Sequence, residues 1–387
     1  MPGNKGFQWT VALVLFGVLF LGVSDTQLVA PLLPLIARDL GITPGRAGMI
    51  VTTYSLTAAL FALLIGPISD RIGRKKVLVL GLVLFASASL ITFYVTSFST
   101  LLIVRMLTGL SAGTLSTGSL SYAADHYKYS QRGRAMGVIS MAYFFAFVVG
   151  IPGGALVAAR FGWHMVFAGF AGVSVLILVA LVKFLPNDPP VSHAPYSLHS
   201  LGRHFFKGDR LSGIAAAFLT SGGIVGFMTY VGAWLTTEQG LSINRVALLF
   251  MASGLAAVAA SPFAGWLSDH LGKKTVIIWA NVGLAILFIL VTRLHWGVSL
   301  ICAIAALSIA ASARQAPLHA LTTEIVESEI RGEYIAVRNA ASQLGIASIA
   351  AASAAIYDRG GFSGVGYLAA FVTILIPLAC IKLKEPH

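Results

Sequence analysis

Charge is what this chain has least of: of 387 residues only 10% are Asp, Glu, Lys or Arg, and 14 of these are acidic against 26 basic. A chain that is also 57% hydrophobic cannot hide its apolar surface in a water-soluble core, so lipid must solvate it. Cysteine is scarce as well. Cys302 and Cys380 both sit inside apolar runs, which excludes a disulfide framework and leaves no metal-ligand spacing. There is no Gly-rich loop ending in Lys-Ser/Thr, no His/Glu metal pattern, and no Ser/His/Asp set on soluble elements. Nucleotide-driven work and enzymatic catalysis are therefore not expected, and neither cofactor nor metal is called for.

What the chain does have is long apolar runs. A hydrocarbon layer of roughly 30 Å takes about 20 helical residues to cross. The expected spans number twelve, at about 9–36, 47–68, 76–97, 100–124, 134–158, 164–185, 212–235, 246–268, 274–293, 298–323, 334–357 and 363–382. The first run is too long for a signal-peptide core and carries Asp25, so it reads as a retained helix. Residues 186–210, Pro-rich and polar, read as a cytoplasmic linker, with either a flexible tether or a short amphipathic helix over Leu198–Phe206. The expected organisation is residues 1–185 as an N-terminal six-helix half, the linker, and residues 211–387 as a C-terminal half.

The net charge of +12 follows the loops. With both termini cytoplasmic, eighteen Lys/Arg fall on the inner side, six on the outer side and two, Arg105 and Arg314, within helices. Arg338, about one turn into its run, is counted with the inner charge layer. This is the positive-inside pattern, which needs no nucleic-acid partner to explain it.

One internal repeat orders the rest. Gly66-Pro-Ile-Ser-Asp70-Arg71-Ile-Gly73-Arg74-Lys75 returns 199 positions later as Gly265-Trp-Leu-Ser-Asp269-His270-Leu-Gly272-Lys273-Lys274. The same offset pairs Asp39 with Glu238, Gly41 with Gly240, Arg46 with Arg245, Asp125 with Glu324 and Arg160 with Arg359. Six spans per repeat make the two copies parallel, related by an axis along the membrane normal.

On the Gly66–Lys75 segment and its degenerate copy, the chain resembles the major facilitator superfamily over essentially its whole length. The resemblance implies an all-α membrane protein of 12 transmembrane helices in two pseudo-symmetric six-helix halves. It implies a cytoplasmic latch built from Gly66, Asp70, Arg71, Gly73, Arg74, Asp125, Asp269 and Glu324, with simple orientation charges as the other reading of its basic residues. Gly150-Ile-Pro152-Gly153-Gly154 resembles the helix-5 signature of proton-coupled drug or sugar antiporters, although its Gly-x-Pro order departs from the usual Gly-Pro. Pro152 should bend the helix while Gly150 and Gly154 permit a tight interface. An ordinary kink is the plainer alternative.

Arg105-Met-Leu-Thr-Gly109-Leu-Ser-Ala-Gly113 resembles the family's proton-coupling pattern in helix 4, and Asp25 resembles its helix-1 aspartate. A cation in hydrocarbon costs several kcal/mol and is aimed at a partner, a wet cavity or, near a helix end, water. Asp25 is the only acidic residue placed within the bilayer. A proton-coupling role and a fixed ion pair with an arginine both remain open for it. Arg314, Gln315 and His319 form a second polar cluster, able to bind an anionic or carbonyl-bearing solute or to balance Asp25. Tyr54, Tyr143, Tyr230, Trp234, Asn339 and Gln343 are candidate cavity-lining residues, with packing or lipid-facing roles as the alternative.

The expected function is secondary active transport, proton-coupled export of a small organic or amphipathic solute by alternating access, from a bacterial-type inner membrane. Small solute, protons and lipid bilayer are the expected partners, and a monomer suffices because one chain carries both halves. Uptake or facilitated exchange of an organic anion or lipid-like solute is the second reading, and a non-transporting membrane sensor or scaffold the third.

Overall fold

The computed structural model describes residues 7–187, 208–324, 326 and 331–381, all of them in helices, turns and short connections, with no strand among them. The helices in chain order are α1 (Trp9–Asp39), α2 (Pro44–Ile72), α3 (Arg74–Phe93), α4 (Phe98–His126), α5 (Tyr129–Phe145), a π-helical turn (Ala146–Gly150), α6 (Ile151–Phe161), α7 (Trp163–Phe184), α8 (Gly208–Thr237), α9 (Ile243–Leu271), α10 (Lys273–Val291), α11 (Val298–Glu324) and α12 (Arg331–Ile381). Helix is the outcome chemistry demands, since lipid offers no hydrogen bonds and each backbone group must find its partner within the segment. Much of the expected linker, including Leu198–Phe206, lies outside the described residues.

Among the described residues eleven helices are long and apolar enough to cross a membrane, not twelve. The difference lies in α12. Its 51 residues would reach about 75 Å if straight, more than twice the hydrocarbon thickness. The backbone leaves helical geometry at Gly361 (φ 66, ψ −169), between the expected eleventh and twelfth spans, so α12 is two helices meeting at a kink where the sequence separates two runs.

Gly361 also closes a set. Gly41 and Gly240 (φ 62 and 68), Gly73 and Gly272 (φ 98 and 86), and Gly162 and Gly361 (φ 85 and 66) are three pairs of left-handed glycines, each pair 199 residues apart. Side chains other than glycine pay to adopt that conformation. The internal repeat is thus visible in backbone torsions as well as in residue types. At Gly73 it serves the tight reversal between α2 and α3, where the Gly73 N–H donates to the Ser69 carbonyl.

Two packing regimes divide the molecule along its length. Near the α1–α2 turn, one apolar core unites Leu28–Ala37 of α1 and Ala47–Val51 of α2 with Phe227–Leu235 of α8, Phe288 of α10 and Ala350–Ala370 of α12. Toward the opposite end the core splits. Val11–Leu21 of α1 pack with α3, α4, α5 and α7, while Ala216, Ile277, Leu318, Leu321 and Ile376 form a separate cluster among α8, α10, α11 and α12. At that end Leu63 of α2 keeps contact with the α8 and α12 residues Ile214, Tyr334 and Val337. The helices before residue 188 and those after residue 207 are therefore joined at one end and parted at the other.

Candidate functional site

The joined end is sealed by groups that cross between the two sets of helices. Asp358 of α12 accepts from the Thr43 hydroxyl (2.9 Å) and the Gly45 N–H (3.0 Å), capping the N-terminus of α2 with a carboxylate from the other set. The Tyr230 hydroxyl lies 3.4 Å from the carbonyls of Gly45 and Ala350, and its ring stacks on Tyr357 at 5.1 Å. A methyl added at Gly48 would overlap the Tyr230 hydroxyl at 1.8 Å, so only glycine leaves room there. Trp234 stacks on Phe362 at 4.6 Å. Tyr230 and Trp234, expected to line a cavity, are buried in this seal.

Below the seal, α1 and α4 bring two charges together. Arg105 Nη1 donates to Asp25 Oδ1 at 2.9 Å, and each residue is 1% exposed. The guanidinium lies 4.9 Å from the Tyr54 ring centroid and 5.8 Å from that of Phe167, a cation–π setting on two sides. Tyr54 thereby belongs to the ion pair's wall rather than to an open surface; its hydroxyl meets Thr26 Oγ1 at 2.7 Å. The second carboxylate oxygen of Asp25 and the Nε of Arg105 have no hydrogen-bond partner among the described residues. Arg105 does not reach for water, as a residue near a helix end can; it is committed inward.

The glycines of both motifs have a local reason. A methyl at Gly109 would stand 2.1 Å from the Tyr54 carbonyl oxygen, and one at Gly113 2.6 Å from that of Ala58. The Arg-x-x-x-Gly-x-x-x-Gly pattern is therefore the seam along which α4 lies backbone to backbone on α2, which sets Arg105 against Tyr54. On the other flank, methyls at Gly150 and Gly154 would meet Ser24 Oγ at 2.6 Å and a Leu28 methyl at 2.3 Å. Pro152 occupies the first turn of α6 directly after the π turn, so the expected disturbance takes the form of a widened turn followed by a new helix start. The disturbed segment packs on the stretch of α1 that carries Asp25.

The second polar cluster does not pair with Asp25. Arg314, 1% exposed, donates to Asn281 Oδ1 (2.6 Å) and to the Thr220 carbonyl (3.3 Å), enclosed by α8, α10 and α11. Arg338 corrects the sequence reading more sharply: instead of joining an inner charge layer it is 7% exposed and donates to Thr322 Oγ1 (2.9 Å) and His319 Nδ1 (2.7 Å). His319 Nε2 in turn meets the Gln315 amide at 3.0 Å. Arg338 and Asn281 are thus members of the buried polar groups that sequence reasoning missed. Tyr143 of α5, 47% exposed, sits within electrostatic reach of Arg338 from the other set of helices. Asn339 and Gln343 are half-buried on α12.

At the parted end, Arg74 forms an ion pair with Asp125, joining α3 to α4, and Lys75 donates to the Val182 and Leu185 carbonyls, capping α7. Arg71 is exposed. The side chains of Asp70, Asp269 and Glu324 lie outside the described residues, so the expected latch is placed only in part.

Comparison with known proteins bears on the family and the fold. A family model described as Major Facilitator Superfamily matches residues 15–242 and 213–387. The chain is 29% identical over 265 residues to the uncharacterized MFS-type transporter YceJ of Bacillus subtilis, covering 68% of each chain. It is 28% identical over 268 residues to the purine ribonucleoside efflux pump NepI of Salmonella typhimurium, covering 69% of this chain and 66% of the pump. Among solved structures, a D-xylose-proton symporter superposes with a TM-score of 0.82 at 18% identity, over 97% of this chain and 98% of the symporter.

Proposed function

The chain belongs to the Major Facilitator Superfamily, and we propose that within this family of membrane transporters it is a proton-coupled exporter of a small organic or amphipathic solute. It would work by alternating access in the inner membrane of a bacterial cell. The helices before residue 188 and after residue 207 are the two rocking halves, and a single chain supplies both. The basic residues concentrated toward the parted end orient that end to the cytoplasm. The sealed end is then outer, and the conformation is the one that loads from inside.

The observation that carries the coupling is the Asp25–Arg105 pair. One carboxylate oxygen holds a single charged hydrogen bond, and the other has no partner among the described residues. Protonating Asp25 gives up one ionic hydrogen bond and releases Arg105 toward the flanking rings of Tyr54 and Phe167. Because α6 and the π turn pack on Asp25's stretch of α1, a change at the pair reaches the inter-half contact that Phe147 makes with Gly254. The helix-5 segment and the NepI relative support export as the direction. Arg74 with Asp125, and Asp70 with its repeat partners, serve as the inner gate.

The test is flux in proteoliposomes under an imposed pH gradient, screening purine ribonucleosides and small organic acids. Gradient-dependent movement that Asp25→Asn abolishes is expected. Movement that ignores the gradient and survives Asp25→Asn would refute the coupling.

A further inference from the structure

The guanidinium groups of Arg105, Arg314 and Arg338 are all buried, yet only Arg105 has an acidic partner among the described residues. A desolvated cation held by neutral acceptors alone is expensive even after relaxation. Arg314 meets that cost with an amide and a carbonyl in a closed setting between three helices. Arg338 is differently placed. Its two acceptors are a threonine hydroxyl and a histidine nitrogen. Those two bonds use two of the five N–H groups of Arg338.

Arg338 also lies on the side where the cores of the two sets of helices part, next to Val337 of the cluster that Leu63 of α2 joins. His319 and Gln315 on α11 are exposed, and Tyr143 on α5, half-exposed, faces Arg338's charge from the other set. The exposed polar groups named here are a hydroxyl, an amide and an imidazole, which donate or accept hydrogen bonds. A planar guanidinium beside such groups matches the two oxygens of a carboxylate or phosphate.

We infer that Arg338, with His319, Gln315 and Tyr143, binds the anionic group of the transported solute, a carboxylate or phosphate ester. This deepens the transport reading by naming a substrate class, and it rests on that reading only for where the anion goes after it binds. Arg314 is a structural cation and takes no part.

The experiment is thermal unfolding of the full chain in uncharged detergent, with no gradient present, so its failure says nothing about Asp25 and the flux result says nothing about Arg338. The probes are benzoate and phenyl phosphate against their uncharged relative benzamide. Saturable stabilisation by either anion but not by benzamide is expected. An apparent affinity about tenfold weaker or worse in Arg338→Gln, the loss of roughly one ionic hydrogen bond, is expected as well. Arg160→Gln, at an exposed arginine in the last turn of α6, should match the parent. Should Arg338→Gln not fold, Arg338→Lys and His319→Gln carry the test, each expected to weaken anion binding while leaving benzamide inert. Equal response to benzamide and benzoate, or anion binding indifferent to all three variants, would overturn the inference. So would stabilisation by added phosphatidylglycerol alone, which would make the site one for lipid headgroups.

Discussion

The two sets of helices treat buried charge in opposite ways. Between α1 and α4 a guanidinium and a carboxylate neutralise each other at 2.9 Å, walled by Tyr54 and Phe167. Among α8, α10, α11 and α12, Arg314 and Arg338 are held by an amide, a carbonyl, a hydroxyl and an imidazole. A compensated pair can change state by moving one proton, because protonation removes the charge that held the cation. Cations held by neutral groups cannot switch in that way; they can take an anion or serve as rigid struts. The repeat underlines the contrast, since Asp25 maps onto Ile224, Arg105 onto Ile304 and Arg314 back onto Leu115. Neither arrangement is a copy of the other.

Breaking the compensated pair should cost most. Arg105→Gln strands a buried carboxylate, and thermal unfolding in detergent should register a loss of about 3–5 kcal/mol. Adding Asp25→Asn to the same chain should recover a large part of it, and a double mutant no better than Arg105→Gln would mean the pair is not what stabilises that seam. Arg314→Gln strands no charge and leaves only Asn281 and the Thr220 carbonyl seeking partners. Its expected loss is about 1–3 kcal/mol, and a loss equal to that of Arg105→Gln would erase the distinction between the sets.

The seal joins the two sets and gives the smaller effects. Asp358→Asn weakens a cap supplied from one set to the other, worth about 1 kcal/mol. In a Cys302→Ser/Cys380→Ser background, maleimide labelling of Val29→Cys should then rise about fivefold, the population shift equal to about 1 kcal/mol. Tyr230→Phe loses only long contacts to two carbonyls, so an effect near 0.5 kcal/mol is expected in the same assay. A larger effect for Tyr230→Phe than for Asp358→Asn would move the centre of the seal from the carboxylate to the aromatic stack.

Much of this was legible beforehand. The apolar runs mark the helices, and the 199-residue echo reappears as three pairs of left-handed glycines. Asp25 and Arg105 stand out because a charge in a membrane span has few affordable explanations, and an ion pair was among those weighed. The seal was not legible. Tyr230 and Trp234 read as cavity candidates because their residue types suit both a wet wall and a dry stack, and only the approach of Gly45, Gly48 and Phe362 decides between them. Arg338 was misplaced because distance along the chain from a helix end was taken for depth, whereas the facing α11 covers that turn with Thr322 and His319.

By itself the sequence determined that the chain lives in lipid as long helices, that it is built on an internal repeat, and which ionisable groups fall within the spans. Those properties depend on the length and composition of each run, which are local. Tertiary structure alone decided which charges are compensated, which aromatic groups seal the joined end, and where Arg338 faces. In a water-soluble bundle the apolar stripe of each helix would point out the buried face. In lipid the packed face and the outer face are both apolar, so no periodicity separates them, and small residues that admit a neighbour's backbone decide which faces meet.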